Sequence, residues 1–172
     1  MKKYILLAAL LLSFNLSAKT FSTPDTKITF DLPDNYTELD EFEIALKFPQ
    51  KSKNPPQFVV GDERRTISVA YGNNSLPLTQ QNMGQAVEHM RRGLSTVMPS
   101  IRWIEHKTIS LNGQNWMYLE FISKAIDTDI HNIMMLTPHK GKTVMFNFNA
   151  TVEKFQQNEA ELRQAIASIQ LP

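Results

Sequence analysis

Apolar and polar residues alternate along most of this chain, with two different periods. In residues 27–32 (KITFDL), Ile28, Phe30 and Leu32 fall on one face, a period of two that predicts a strand. Pro33, Asp34 and Asn35 follow as a turn. Phe42, Ile44, Leu46 and Phe48 resume the alternation and predict a second strand, closed by Pro49. Residues 50–56 (QKSKNPP) have no period, and their adjacent prolines cannot sit inside a sheet, so they predict a loop. Residues 66–71 (TISVAY) predict a third strand, with a short segment at 58–60 before it.

The period then lengthens. Met83, Val87, Met90, Leu94 and Val97 recur every three or four residues, one face of a helix. Thr79 stands as its N-cap and Pro99 marks its stop. Gly84 and Gly93 each weaken it by up to about 1 kcal/mol, so this helix depends on being packed. Four strands follow as a meander, at 103–111, 114–125, 130–137 and 143–151. Asn112-Gly113 joins the first two, the strongest short hairpin signal. Residues 127–129 and 138–142 (PHKGK) form the other turns. In the second of these strands Trp116, Tyr118 and Ile122 face one way and Met117, Leu119 and Phe121 the other. In the last, Val144, Phe146, Phe148 and Ala150 oppose Asn147 and Asn149, which predicts an antiparallel sheet with one covered face. A final helix at 153–169 carries Phe155, Leu162, Ile166 and Ile169 on one stripe, and the two helices together are the expected cover. The fold class is α+β: a central antiparallel sheet packed by helices.

The first 18 residues stand apart. Lys2 and Lys3 precede an unbroken apolar run at 4–12, and the small residues Ser17 and Ala18 precede polar sequence. This order predicts a secretory signal peptide at 1–18, cleaved after Ala18. Nine apolar residues fall short of the about 20 that span a bilayer. The short Lys-Lys start has a bacterial character. The mature chain, one domain over 19–172, is therefore expected in the periplasm without stable membrane insertion.

Composition narrows the chemistry. The 172 residues are 20% charged and 42% hydrophobic, ordinary for a globular protein. There is no cysteine, which excludes a disulfide framework, a thiolate nucleophile, a thiolate metal site and a lipidated N-terminal cysteine. The formal charge of +1 becomes about −1 once Lys2 and Lys3 are removed, which argues against nucleic acid as a partner. Sequons at Asn35, Asn73 and Asn149 are chance matches in a bacterial protein.

The order of strands, helix, four-strand meander and final helix resembles the PsbP-like family, which includes the bacterial DcrB-like proteins. The resemblance spans roughly residues 26–171. It rests on ITFDLPDN at 28–35, TISLNGQ at 108–114, GKTVMFNFNAT at 141–151 and SIQL at 168–171. These stretches mark turns and core positions, not chemistry. The resemblance implies an α+β sandwich and a mostly non-enzymatic role: assembly factors in photosystems, small-GTPase regulation, secretion-effector chaperones or immunity proteins. A signal peptide counts against the cytoplasmic chaperone role.

Few residues suggest a reaction. Asp127, Asp129 and His131 sit two apart, so in an extended chain they share a face and could ligate Ca²⁺, Mn²⁺ or Zn²⁺. A polar hairpin turn is the simpler account of the two aspartates. His89, His106 and His139 lie on helix, strand and loop, with no hydrolase, zinc-protease, phosphate-loop or dinucleotide motif around them. Trp116, Met117, Met134 and Met135 read as core packing rather than as a ligand or Cu(I) site. Arg64-Arg65 and Arg91-Arg92 are the candidate partner-binding residues, able to dock an acidic protein surface. The sequence thus predicts a non-enzymatic periplasmic binding or accessory protein without a cofactor, acting on a protein partner such as an envelope component or a secreted effector. A narrower form is an immunity protein against a type VI secretion effector. The alternative is a metal-dependent enzyme or metal-binding protein built on Asp127, Asp129 and His131.

Overall fold

A computed structural model of the chain describes residues 17–23, 26–47, 55–74 and 76–172. The signal segment before Ser17, and Phe48, Pro49 and residues 50–54 of the expected loop, lie outside these residues. In chain order the elements are β1 (Ala18–Ser22), β2 (Thr29–Pro33), β3 (Thr37–Glu38), α1 (Glu41–Lys47), β4 (Gln57–Val60), β5 (Ile67–Asn74), α2 (Met83–Val97), β6 (Arg102–Leu111), β7 (Gln114–Lys124), β8 (Asp129–His139), β9 (Lys142–Thr151) and α3 (Val152–Ala167). Seven strands form one antiparallel sheet in the order β3-β4-β5-β9-β8-β7-β6, while β1 and β2 pair separately. Among the described residues, no helix is long and apolar enough to cross a membrane.

The meander forms where the turn chemistry places it. Asn112 and Gly113 hold φ values of 50° and 78°, and Lys140 and Gly141 hold 47° and 75°. Two successive positive φ angles are what a tight hairpin turn with the twist of the flanking strands requires. The second turn is thus shorter than the expected 138–142, with His139 and Lys142 already paired. Thr79 bonds Asn82 reciprocally, accepting its N–H at 3.1 Å and donating its own to Asn82 Oδ1 at 2.8 Å. This fixes a turn before α2, and the helix itself starts at Met83 behind Asn82.

Two expectations are corrected. Residues 42–47 are not a strand but most of helix α1. Asp40 Oδ1 accepts the Glu43 N–H at 2.8 Å and Glu43 Oε2 accepts the Asp40 N–H at 3.0 Å, a capping box that outweighs the period of two. Among the described residues of that apolar set, Ile44 is buried and Phe42 and Leu46 are 71% and 66% exposed. Nor do the two long helices cover one face together. On one face, α3 and the β1–β2 hairpin bury Phe30, Tyr71, Trp116, Phe146 and Phe148. On the other, α2 lies over Met117, Leu119, Phe121 and Leu136, and α1 over Phe58, Val60 and Ala70. The cause is β7, apolar on both faces, which needs a cover on each. Val97, the last residue of the α2 stripe, is 74% exposed.

Candidate functional site

The densest set of ionisable groups lies under α3. β7 presents Tyr118 and Glu120 two residues apart on the α3 face, β8 adds His131 on the neighbouring strand, and α3 brings Arg163. Glu120 Oε1 accepts from Arg163 Nη2 at 3.0 Å and pairs with His131 Nε2 at 2.7 Å; Oε2 accepts from the Tyr118 hydroxyl. Arg163 also donates from Nη1 to the Tyr118 oxygen at 3.0 Å and from Nε to Glu159 at 2.8 Å. The His131 ring lies flat on Phe155, with centroids 3.4 Å apart. Burial opposes ionisation of Glu120, but the bonds from His131 and Tyr118 and the Arg163 charge outweigh it and bring its pKa from 4.5 to about 2. Burial and the bond to Glu120 push the Tyr118 phenol up.

Carboxylate, imidazole, phenol and guanidinium are the groups of an acid–base site, yet here they are committed to one another. Both Glu120 oxygens carry bonds, and the Glu120 and His131 side chains are 4% and 11% exposed. The arrangement clamps α3 to β7 and β8. Sequence reasoning passed over Glu120, although it sits between Tyr118 and Ile122 on an otherwise apolar face of β7. A charge at an inward position of a strand is the signal that could have found it, since such a charge needs a partner.

The metal reading is corrected by the geometry. Asp129 begins β8 rather than ending the turn, and its carboxylate takes Arg102 Nη2 at 2.7 Å. His131 is held by Glu120, and Asp127 is exposed in the preceding turn. Asp129 and His131 serve different partners, and no group of three or more potential metal ligands of the histidine, cysteine or carboxylate type occurs among the described residues. A divalent ion at a hundredfold excess over its dissociation constant would add about 2.7 kcal/mol. The expected result is an unchanged melting temperature with Ca²⁺, Mn²⁺, Zn²⁺ or chelator. A chelator-sensitive melt lost in His131→Ala would restore the metal reading.

The other histidines are dispersed. His106 on β6 faces Glu88 of α2 at 3.3 Å and meets Trp103 edge-on, His89 is exposed on α2, and His139 ends β8. The four arginines fall into two regions. Arg64 is exposed and lines a cleft of about 1110 Å³ between its own loop, the β7–β8 turn and the start of α3. Lys124, Asp127, Glu153 and Lys154 line it too, so its charge is mixed. Arg65 is tied to Glu43 of α1 at 2.5 Å. On α2, Arg91 pairs with Glu88 at 3.1 Å, whereas Arg92 is exposed and donates only to the Glu88 carbonyl, at 3.3 Å, among the described residues. Arg64 and Arg92 are therefore the arginines of the set that form no ion pair among the described residues, although the Arg92 charge acts on Glu88.

No protein-family model and no curated protein sequence matches the chain. Several solved structures do. Cyanobacterial PsbP (CyanoP) from Synechocystis sp. PCC 6803 matches with a TM-score of 0.68 at 15% identity, over 96% of this chain and 99% of that one. LpqN of Mycobacterium tuberculosis, described as involved in cell envelope biogenesis, matches with a TM-score of 0.52 at 11% identity, over 91% of each chain. PA94 of Pseudomonas aeruginosa, of unknown function, matches with a TM-score of 0.52 at 10% identity, over 90% of this chain and 96% of that one. Likeness at this identity speaks for the fold alone: this chain has the PsbP-like, DcrB-like α+β sandwich fold.

Proposed function

We propose that the exported chain is a non-enzymatic periplasmic binding or accessory protein that acts through protein–protein contacts. One observation carries this reading. The densest set of groups able to do acid–base chemistry is locked into the buried clamp around Glu120, whereas exposed charge and large apolar side chains stand at the surface. Arg64 and Arg92 are exposed and form no ion pair among the described residues, and Phe42, Leu46 and Val97 are exposed. Charged rims of this kind set encounter and specificity with a partner. The envelope role in the LpqN description supports the compartment. In its narrower form the partner is a toxin delivered into the periplasm by a type VI secretion system, and this chain is the immunity protein.

Export is tested first. Mass spectrometry of periplasmic protein should show an N-terminus at or near Lys19, since a nine-residue apolar run suits a signal and is too short to span. A full-length chain fixed in the inner membrane would contradict it. Cleavage after Ala18 leaves the β1 pairs from Lys19↔Leu32 to Ser22↔Thr29 in place. For the partner, cross-linking in the native periplasm should yield one protein in stoichiometric amount with the wild type. Arg64→Glu or Arg92→Glu should lose it while folding normally. An identical catch with wild type and both variants would refute the charged surface. For the immunity form, deletion of the gene should make cells susceptible to siblings with an active type VI system. Survival equal to wild type would remove that form.

A further inference from the structure

A second cavity, of about 760 Å³, runs along α2 on the sheet face opposite the clamp. That volume lies within the roughly 300–1,000 Å³ of small-ligand pockets. Met117 and Leu136 line it from the sheet, Leu76 and Leu78 from the loop before α2, and Met90 from the helix. The loop wall is fixed in place. Leu76 N–H donates to Asn74 Oδ1 at 3.0 Å, the Thr143 hydroxyl donates to the Leu76 carbonyl at 2.7 Å, and Asn82 Nδ2 donates to the Pro77 carbonyl at 3.1 Å.

The cavity is long and its charge sits towards one end. Its lining on α2 runs from Asn82 to Arg92, which at 1.5 Å per residue is roughly 15 Å. Pro77 is bonded at the Asn82 end, while His89 and Arg92 line the other. Glu88 lines this end as well, and its carboxylate is bonded by Arg91 at 3.1 Å and faces His106 at 3.3 Å. Arg92 acts on the same carboxylate from the neighbouring turn, so Arg91 and Arg92 share one counter-charge and this end keeps a positive charge in excess. An apolar trough with a cationic end is complementary to a molecule that has an apolar chain and an anionic head.

We propose that this cavity binds a single-chain anionic amphiphile, a long-chain fatty acid, with the acyl chain against Met117, Leu136 and Met90 and the carboxylate at Arg92. Methionine suits an acyl chain because its flexible thioether side chain adapts to irregular apolar shapes. This reading shares Arg92 with the protein-partner proposal, and its test measures ligand binding to the isolated protein, so the two stand or fall separately. It has a structural handle in Gly84, which lines the cavity and has no atom within 4 Å of the position its Cβ would take. A Cβ placed there stands in open space at the cavity wall, and replacing a helix glycine favours the helix.

The test is isothermal titration of the exported protein with dodecanoate and with dodecyltrimethylammonium, each below its micelle concentration. Dodecanoate should bind saturably, one per chain, and at least about tenfold more tightly than the cation of equal length. Gly84→Phe should abolish dodecanoate binding with circular dichroism and melting like wild type. Arg92→Glu, at an exposed site, should remove or invert the head-group preference whether or not Gly84→Phe folds. No saturable binding to the wild type, equal affinity for the two head groups, a preference unchanged in Arg92→Glu, or full binding to a folded Gly84→Phe would each overturn the proposal.

Discussion

Phe146→Ala should destabilise the protein by about 3–5 kcal/mol, the cost of emptying a buried aromatic site. Phe146 is 0% exposed on β9, the strand between β5 and β8. Its ring meets Phe30 edge-on at 5.2 Å and lies 6.1–6.3 Å from Trp116, Phe148 and Tyr71. It therefore joins the β1–β2 hairpin to three strands of the large sheet, and no single neighbour can move in to fill the void. Asn147, the next residue, faces the other way and is half-buried with an unpartnered Oδ1. Asn147→Ala should cost far less, because it removes a buried acceptor that has no bond to lose. Urea unfolding of the two variants checks this; equal losses would mean that the register of β9 is wrong.

Acid should weaken the wild type more than Glu120→Gln. The folded pKa of Glu120, about 2, lies below its ordinary 4.5. A group with a depressed folded pKa stabilises the fold above its unfolded pKa, and that contribution fades as the pH falls through the folded value. The window is thus from about pH 4.5 down to about pH 2, and the full contribution is about 3 kcal/mol. Urea midpoints taken at pH 5 and near pH 2 should show the wild type losing about that much more than Glu120→Gln. Parallel losses would show that the clamp is not built on an ionised Glu120.

Much of the fold was legible because local chemistry and periodicity agree over the meander. Asn112-Gly113, the alternation of β9 and the stripe of α3 each pointed to what formed. The sequence misled where two local signals competed. Residues 42, 44, 46 and 48 alternate like a strand, but Asp40 and Glu43 are spaced as a helix cap, and the cap satisfies backbone donors that an isolated short strand would leave open. The polar residues Asn147 and Asn149 suggested a bare sheet face. They instead belong to neither apolar cluster on that face, the one under α2 or the one under α1. The clamp was illegible for a different reason. Its members come from β7, β8 and α3, and only the packing of α3 across the sheet brings Arg163 to Glu120. Likewise the spacing of Asp127, Asp129 and His131 said nothing of Arg102 and Glu120, the partners that claim two of them.

The proposed division, a structural clamp around Glu120 and a functional charged surface at Arg64 and Arg92, separates in vivo. Complementation of a deletion strain tests it most directly, with each variant shown to accumulate in the periplasm at wild-type level. His131→Gln keeps an amide donor towards Glu120 but no imidazole, and it should complement fully. Arg64→Glu combined with Arg92→Glu should fail. Failure of His131→Gln together with full complementation by the double charge reversal would contradict the claim and place the chemistry at the buried histidine.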